Sequence, residues 1–124
     1  MFNEAIIDHI VINVNHRARM IRFYCDILGF SIEREIPSMT QLRLGSILID
    51  LIDFKIEEPF NGTNKNIDHF CLCVSPFDCE KIIEHFKANN VNYEIPSMKY
   101  GASGYGESLY FYDIEGNKVE LKAL

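Results

Sequence analysis

Several features are missing from this 124-residue chain, and each absence removes a class of function. No segment concentrates lysine or arginine and the formal charge is −6, so a phosphate backbone finds no electrostatic footprint and nucleic acid is excluded as a partner. Apolar runs such as Ile47–Ile52 are broken by charge far short of the roughly 20 residues that span a bilayer. The start of the chain has no basic segment followed by an apolar stretch. A cytoplasmic protein with no membrane partner is expected. The four cysteines, Cys25, Cys71, Cys73 and Cys79, include no C-x-x-C pair. Three of them lie within apolar periodic segments, which suits buried, reduced thiols better than a disulfide framework. Low-complexity sequence is also absent.

Nearly half of the residues are apolar and about a quarter are charged. That is enough for one core, organised as a single domain or as two small packed modules. Comparison of the chain with itself favours modules. Ile7-Asp8-His9-Ile10-Val11-Ile12-Asn13-Val14 returns as Ile67-Asp68-His69-Phe70-Cys71-Leu72-Cys73-Val74, at an offset of 60 residues. Each copy is followed by a helical pattern. Met20, Ile21, Phe23, Tyr24, Ile27 and Leu28 fall at helical spacing before Gly29, a C-terminal cap. In the second copy Ser75 is the expected N-cap, with Pro76 opening the helix and Phe77, Ile82, Ile83 and Phe86 forming the stripe up to Asn89-Asn90.

Strand patterns then occupy Phe30–Ile36, Gln41–Leu44 and Ile47–Asp53, and in the second copy Asn92–Ile95, Glu107–Asp113 and Asn117–Lys122. Ile49-Asp50-Leu51 matches Val119-Glu120-Leu121 at an offset of 70, so ten extra residues are assigned to a loop, Ser97–Gly106. The chain reads as βαβββ twice: modules of about residues 5–53 and 66–123 joined by a linker, 54–65, within a polar stretch with Pro59 and Gly62. Such a unit cannot close a core alone, so an α+β fold is expected in which two copies build a cupped sheet.

The repeat doubles a polar pattern. A histidine sits in each first strand and a carboxylate in each last, giving His9, Asp50, His69 and Glu120 among apolar neighbours. A single strand histidine is ordinarily a hydrogen-bonded core residue. Two carboxylates with no lysine or arginine expected on the inner face of their strands call for a cation. The mixed donor set suits Ni, Zn, Co, Mn or Fe(II) better than Ca or Mg. Four ligands on an octahedral ion leave two positions for a small-molecule substrate with adjacent oxygens. His16 and His85 read as surface residues, and Asp8 and Asp68 alternate to the opposite strand face. Cys71 shares the face of His69 and reads as a small buried hydrophobe.

These residues carry a resemblance to the vicinal oxygen chelate superfamily, the glyoxalase/bleomycin resistance/dioxygenase group. The opening Ile-Asp-His-Ile-Val, the segment Phe23-Tyr24-Cys25-Asp26-Ile27-Leu28-Gly29-Phe30 and the run Leu109–Glu120 all look like its motifs. The bacterial glyoxalase I branch implies His9, Asp50, His69 and Glu120 as ligands of one divalent ion. Asp50 is a methylene shorter than the usual Glu, and without it His9, His69 and Glu120 resemble the two-His-one-carboxylate set of the fosfomycin-modifying and extradiol branches. Ile114-Glu115 replaces the usual Pro-Asp of the closing turn.

The first activity implied is that of a glyoxalase I-like lyase, acting on the adduct of an α-oxoaldehyde and a thiol such as glutathione through an enediolate. A carboxylate moves the proton, Glu120 as first choice and Asp50 as second. Ser108 and Tyr110 match substrate-contacting positions of the thiol transferase branch, and strand parity adds Arg43 and Tyr100 to the cavity wall. That transferase ranks second, because its branch has a lysine where this chain has Tyr100 and an arginine beyond the point where the chain ends at Leu124. Extradiol dioxygenation and non-catalytic antibiotic binding rank lower, the binders lacking the ligand set. Small bacterial glyoxalases further imply a homodimer in which His9 and Asp50 of one chain meet His69 and Glu120 of the other.

Overall fold

A computed structural model describes Asn3 and residues 7–53, 69–101 and 104–124. The expected linker lies outside the described residues, as does Asp68. The chain divides into two compact units, Met1–Pro59 and Phe60–Leu124. No helix among the described residues is long and apolar enough to cross a membrane.

The first unit opens with β1 (His9–Val14), whose alternation sends Ile12 and Val14 into the core and leaves His9, Val11 and Asn13 on the other face. Helix α1 (Arg17–Arg22) continues directly into one π-helical stretch, Phe23–Ile27. Met20, Phe23 and Tyr24 are buried, and α1 packs on β3 (Met39–Leu44) and β4 (Ile47–Asp53). Gly29 ends the helix at φ 81°, where a side chain would be strained, and the Phe30 N–H donates to the Tyr24 carbonyl at 3.0 Å. Strand β2 (Ser31–Ile36) completes a sheet of order β1-β4-β3-β2. Parallel pairing of β1 with β4 sets Val11 opposite Asp50.

The second unit repeats this plan with β5 (His69–Val74), α2 (Cys79–Ala88), β6 (Asn92–Tyr93), β7 (Ser97–Gly101), β8 (Gly104–Tyr112) and β9 (Lys118–Ala123). Its sheet order is β5-β9-β8-β6, with β7 also on β8. Leu72, Leu109, Phe111, Val119 and Leu121 form the buried side, and Phe86 of α2 lies 5.0 Å, centroid to centroid, from Phe111. Parallel pairing of β5 with β9 sets Cys71 opposite Glu120. Both units therefore place a carboxylate opposite the residue two positions after the histidine.

Three expectations need correction. Residues 97–101 and 104–106 are not a loop: β7 and β8 pair as a hairpin from Ser97↔Ser108 to Gly101↔Gly104. The described extra residues supply β7 and the start of β8, and β6 and β7 pair with the two ends of β8 on either side of Pro96, which has no N–H to give a sheet. Helix α2 begins later than Ser75: its N-cap is Asp78, whose carboxylate accepts the Lys81 N–H at 3.2 Å. Cysteines 71 and 73 are exposed and Cys25 and Cys79 half-buried, all four as free thiols, because the odd positions of β5 face away from the helix-packed side.

The closing turn dispenses with proline because Asp113 holds it. Its Oδ1 accepts the N–H groups of Glu115 and Asn117, each at 2.9 Å, and Oδ2 accepts Asn117 Nδ2 at 2.7 Å.

The revised cap is directly testable by urea unfolding. Asp78→Ala should cost about 1 kcal/mol, whereas Ser75→Ala should stay within about 0.5 kcal/mol of the parent protein.

Candidate functional site

In the first unit, His9 and Asp50 come from adjacent parallel strands. His9 Nδ1 donates to Asp8 Oδ2 at 2.7 Å, which leaves Nε2 as the nitrogen for a ligand. That hydrogen bond is the main cause of a raised His9 pKa; burial opposes it, and the charges of Asp50 and Asp8 add to it. Asp50 is 6 % exposed. Its Oδ2 accepts Gln41 Nε2 at 3.1 Å, while Oδ1 is buried and has no hydrogen-bond partner among the described residues. A buried carboxylate oxygen left this way is costly and suits a cation.

In the second unit, Glu120 is likewise 6 % exposed. Its Oε1 accepts Ser108 Oγ at 2.5 Å, and Oε2 lies 3.2 Å from His69 Nε2. Tyr110 stands edge-on to His69 with ring centroids 5.1 Å apart. Burial first, then the charge and hydrogen bonding of Glu120, raise the Tyr110 pKa, so the phenol stays protonated at neutral pH. Cys71 is pushed up to about 12 by burial and by Glu120, although part of its surface meets solvent.

The chosen wall residues behave differently from one another. Ser108 and Tyr110 lie directly against Glu120 and His69. Arg43 is held away by a bidentate pair with Glu33, at 2.7 and 3.2 Å, and Tyr100 is exposed on the hairpin with its ring edge-on to Tyr105.

Other residues were missed. Lys118 and Lys122 share the strand face of Glu120, contrary to the expectation of no cation there, and their spacing of two residues on either side was the available signal. Both are engaged elsewhere. Lys118 Nζ lies 3.1 Å from Glu94 Oε1, which also accepts the Tyr112 hydroxyl, and 4.3 Å from the Tyr110 centroid. Buried Lys122 donates to the Lys99 carbonyl at 2.6 Å. Asp8 meets solvent and also steadies the His9 ring, and Gln41 holds Asp50. Gln41 pairs with Asp50 as Tyr110 pairs with Glu120.

Among the described residues, no three His, Cys, Asp or Glu side chains converge as a metal site. The predicted ligands occur as two pairs, one in each unit. Their chemistry fits a borderline divalent ion: two imidazoles, two buried carboxylates and one carboxylate oxygen without a partner.

The sequence profile described as Glyoxalase/Bleomycin resistance protein/Dioxygenase superfamily matches residues 6–121. The chain belongs to that superfamily. A Metallothiol transferase FosB of Staphylococcus haemolyticus is 32 % identical over 115 residues, covering 93 % of this chain and 81 % of the relative. A virulence protein of Salmonella typhimurium strain LT2 is 28 % identical over 117 residues, with the same two coverages. The crystal structure of that Salmonella protein superposes with a TM-score of 0.78 at 27 % identity, covering 99 % of this chain and 98 % of its own. A lactoylglutathione lyase from Agrobacterium tumefaciens superposes with a TM-score of 0.72 at 18 % identity, covering 98 % and 96 % of the two chains, a likeness of fold alone. The superfamily thus includes enzymes on this same fold.

The His9–Asp8 bond predicts a measurable titration. By NMR on metal-free protein, His9 should titrate above the ordinary imidazole value, and Asp8→Asn should return it toward that value; an unmoved titration removes Asp8 from the account.

Proposed function

We propose that this chain is a metal-dependent thiol transferase, joining a low-molecular-weight thiol to a small, oxygen-bearing electrophile such as an epoxide phosphonate. The supporting observation is the 32 % identity with a metallothiol transferase across 93 % of the chain, together with His9, His69 and Glu120 as a two-His-one-carboxylate set. A divalent ion held by those three residues would supply positive charge for the oxygen released when the electrophile opens. The thiol gives up its proton and its sulfur bonds to carbon, the C–O bond breaks with its electron pair going to oxygen, and that oxygen takes up a proton, so that the thiol's proton is balanced by the new hydroxyl.

The chain's own residues have distinct roles in this reading. Tyr110, kept protonated and set against His69, offers its hydroxyl to the opening oxygen. Ser108 fixes the carboxylate of Glu120, so that His69 and Glu120 keep one geometry. Lys99, with Nζ 5.9 Å from the Tyr110 centroid, supplies a cation beside Tyr100, where the absence of lysine had counted against a transferase.

A glyoxalase I-like lyase is the second reading, and Asp50 favours it. A three-ligand site leaves that carboxylate over, buried, with Oδ1 free of hydrogen bonds among the described residues and able to accept a substrate proton. Glu120, the first choice as base from the sequence, has both oxygens engaged.

Two assays on metal-loaded protein separate the readings: adduct formation from a thiol and an epoxide phosphonate, and thioester formation from a methylglyoxal–thiol adduct. The transferase reading expects the first product, with Tyr110→Phe slowing it about 10²-fold and Asp50→Asn leaving it within about threefold. Thioester formation alone, abolished by Asp50→Asn, would establish the lyase instead.

A further inference from the structure

Cys71 and Cys73 are separated by one residue on β5, so their side chains leave the same face of the strand. Both are exposed, both are free thiols, and the Cys73 thiol is within hydrogen-bonding reach of Cys71. Strand geometry disfavours a disulfide between them. Positions two apart in a strand have Cα atoms about 6.6 Å apart, at the upper edge of what a disulfide bridges, and their near-parallel Cβ vectors remain well beyond the roughly 3.8 Å a bridge requires. An atom lying between the two sulfurs meets no such limit, because it contributes two bond lengths to the span.

The surroundings decide which atom fits. Zinc and similar ions require four protein donors in a structural site or three in an open one. Among the described residues, no third His, Cys, Asp or Glu joins this pair in a group able to hold a metal ion. An arsenical carrying one organic group already has carbon as its third substituent, and two thiols complete it.

We propose that Cys71 and Cys73 form a dithiol site for monosubstituted trivalent arsenicals. In the binding step, each thiol replaces one hydroxide on RAs(OH)2. Two As–S bonds form and two As–O bonds break. Each thiol proton leaves with a hydroxide as water, and arsenic remains trivalent, so neither oxidant nor reductant takes part. The register of Cys71 opposite Glu120 places the bound group along the carboxylate-bearing face of the second unit. The site does not rest on the thiol-transfer reading, since it uses neither histidine nor Tyr110.

Phenylarsonous acid is the probe, with native mass spectrometry as the readout on the full chain. One phenylarsenic per chain is expected, with loss of two waters, resistant to excess 2-mercaptoethanol and reversed by 2,3-dimercaptopropanol. Cys71→Ser and Cys73→Ser should each weaken binding about a hundredfold, because one thiol alone loses the effective concentration supplied by its neighbour. The Cys25→Ser/Cys79→Ser protein, in which only the proposed pair remains, should bind as the parent does. No arsenical on the parent protein, loss of binding in the Cys25→Ser/Cys79→Ser protein, or undiminished affinity in a folded Cys71→Ser protein would each overturn the site. The middle outcome is read even if Cys71→Ser fails to fold.

Discussion

A carboxylate in the middle of a buried strand is the constraint around which both halves of this molecule are organised. Asp50 lies between Ile49 and Leu51, both fully buried, and Glu120 lies between Val119 and Leu121. Removing an ionised carboxylate from water costs several kcal/mol unless hydrogen bonds or a positive charge compensate. Each unit meets that cost in the same way, with a histidine strand running parallel to the carboxylate strand and a polar side chain from the antiparallel neighbour. In the first unit Gln41 serves one oxygen of Asp50, and the other has no hydrogen-bond partner among the described residues. In the second, Ser108 and His69 take one oxygen each of Glu120. Remaining negative charge on these faces is what makes a divalent cation chemically sensible.

The two units have diverged around this plan, and the difference bears on function. The second has gained the β7–β8 hairpin, tied to β9 where buried Lys122 bonds the carbonyl of Lys99. It also carries Tyr110 with two lysines beside its ring, whereas in the first unit Arg43 is paired with Glu33. The groups proposed to face substrate are therefore concentrated in the second unit. The first contributes His9, steadied by Asp8, and an aspartate with one buried oxygen lacking a hydrogen-bond partner among the described residues. Membership of the superfamily fixes the fold, while its named members include both a thiol transferase and a lyase, so the choice between activities rests on these local differences.

Much of this was legible in the amino-acid order because strand parity and internal repetition are strong signals. The 60-residue recurrence around His9 and His69 marked the first strands, and the strand pattern over Ile47–Asp53 is one that β4 reproduces residue for residue. What escaped were contacts decided across strands. Lys118 and Lys122 had the right parity, but which carbonyl or carboxylate would receive them depends on the folding back of the hairpin. The hairpin itself was hidden by Gly101, Gly104 and Gly106, residues that read as loop punctuation. Ser75-Pro76 masked the true cap because its local chemistry is also that of a helix start, and only the later position of the helix selects Asp78. The cysteines were misjudged since an apolar strand with one covered face still exposes alternate residues.

The central claim is the proposed site itself, in which His9, His69 and Glu120 hold one divalent transition metal. Metal analysis of protein purified without chelator and dialysed against metal-free buffer tests it most directly. The account predicts one divalent transition ion per chain, lost on replacing His69 with Ala while the protein remains folded and retained on replacing His85. A folded parent protein that holds no transition metal, or a His69→Ala protein that keeps its full content, would contradict it.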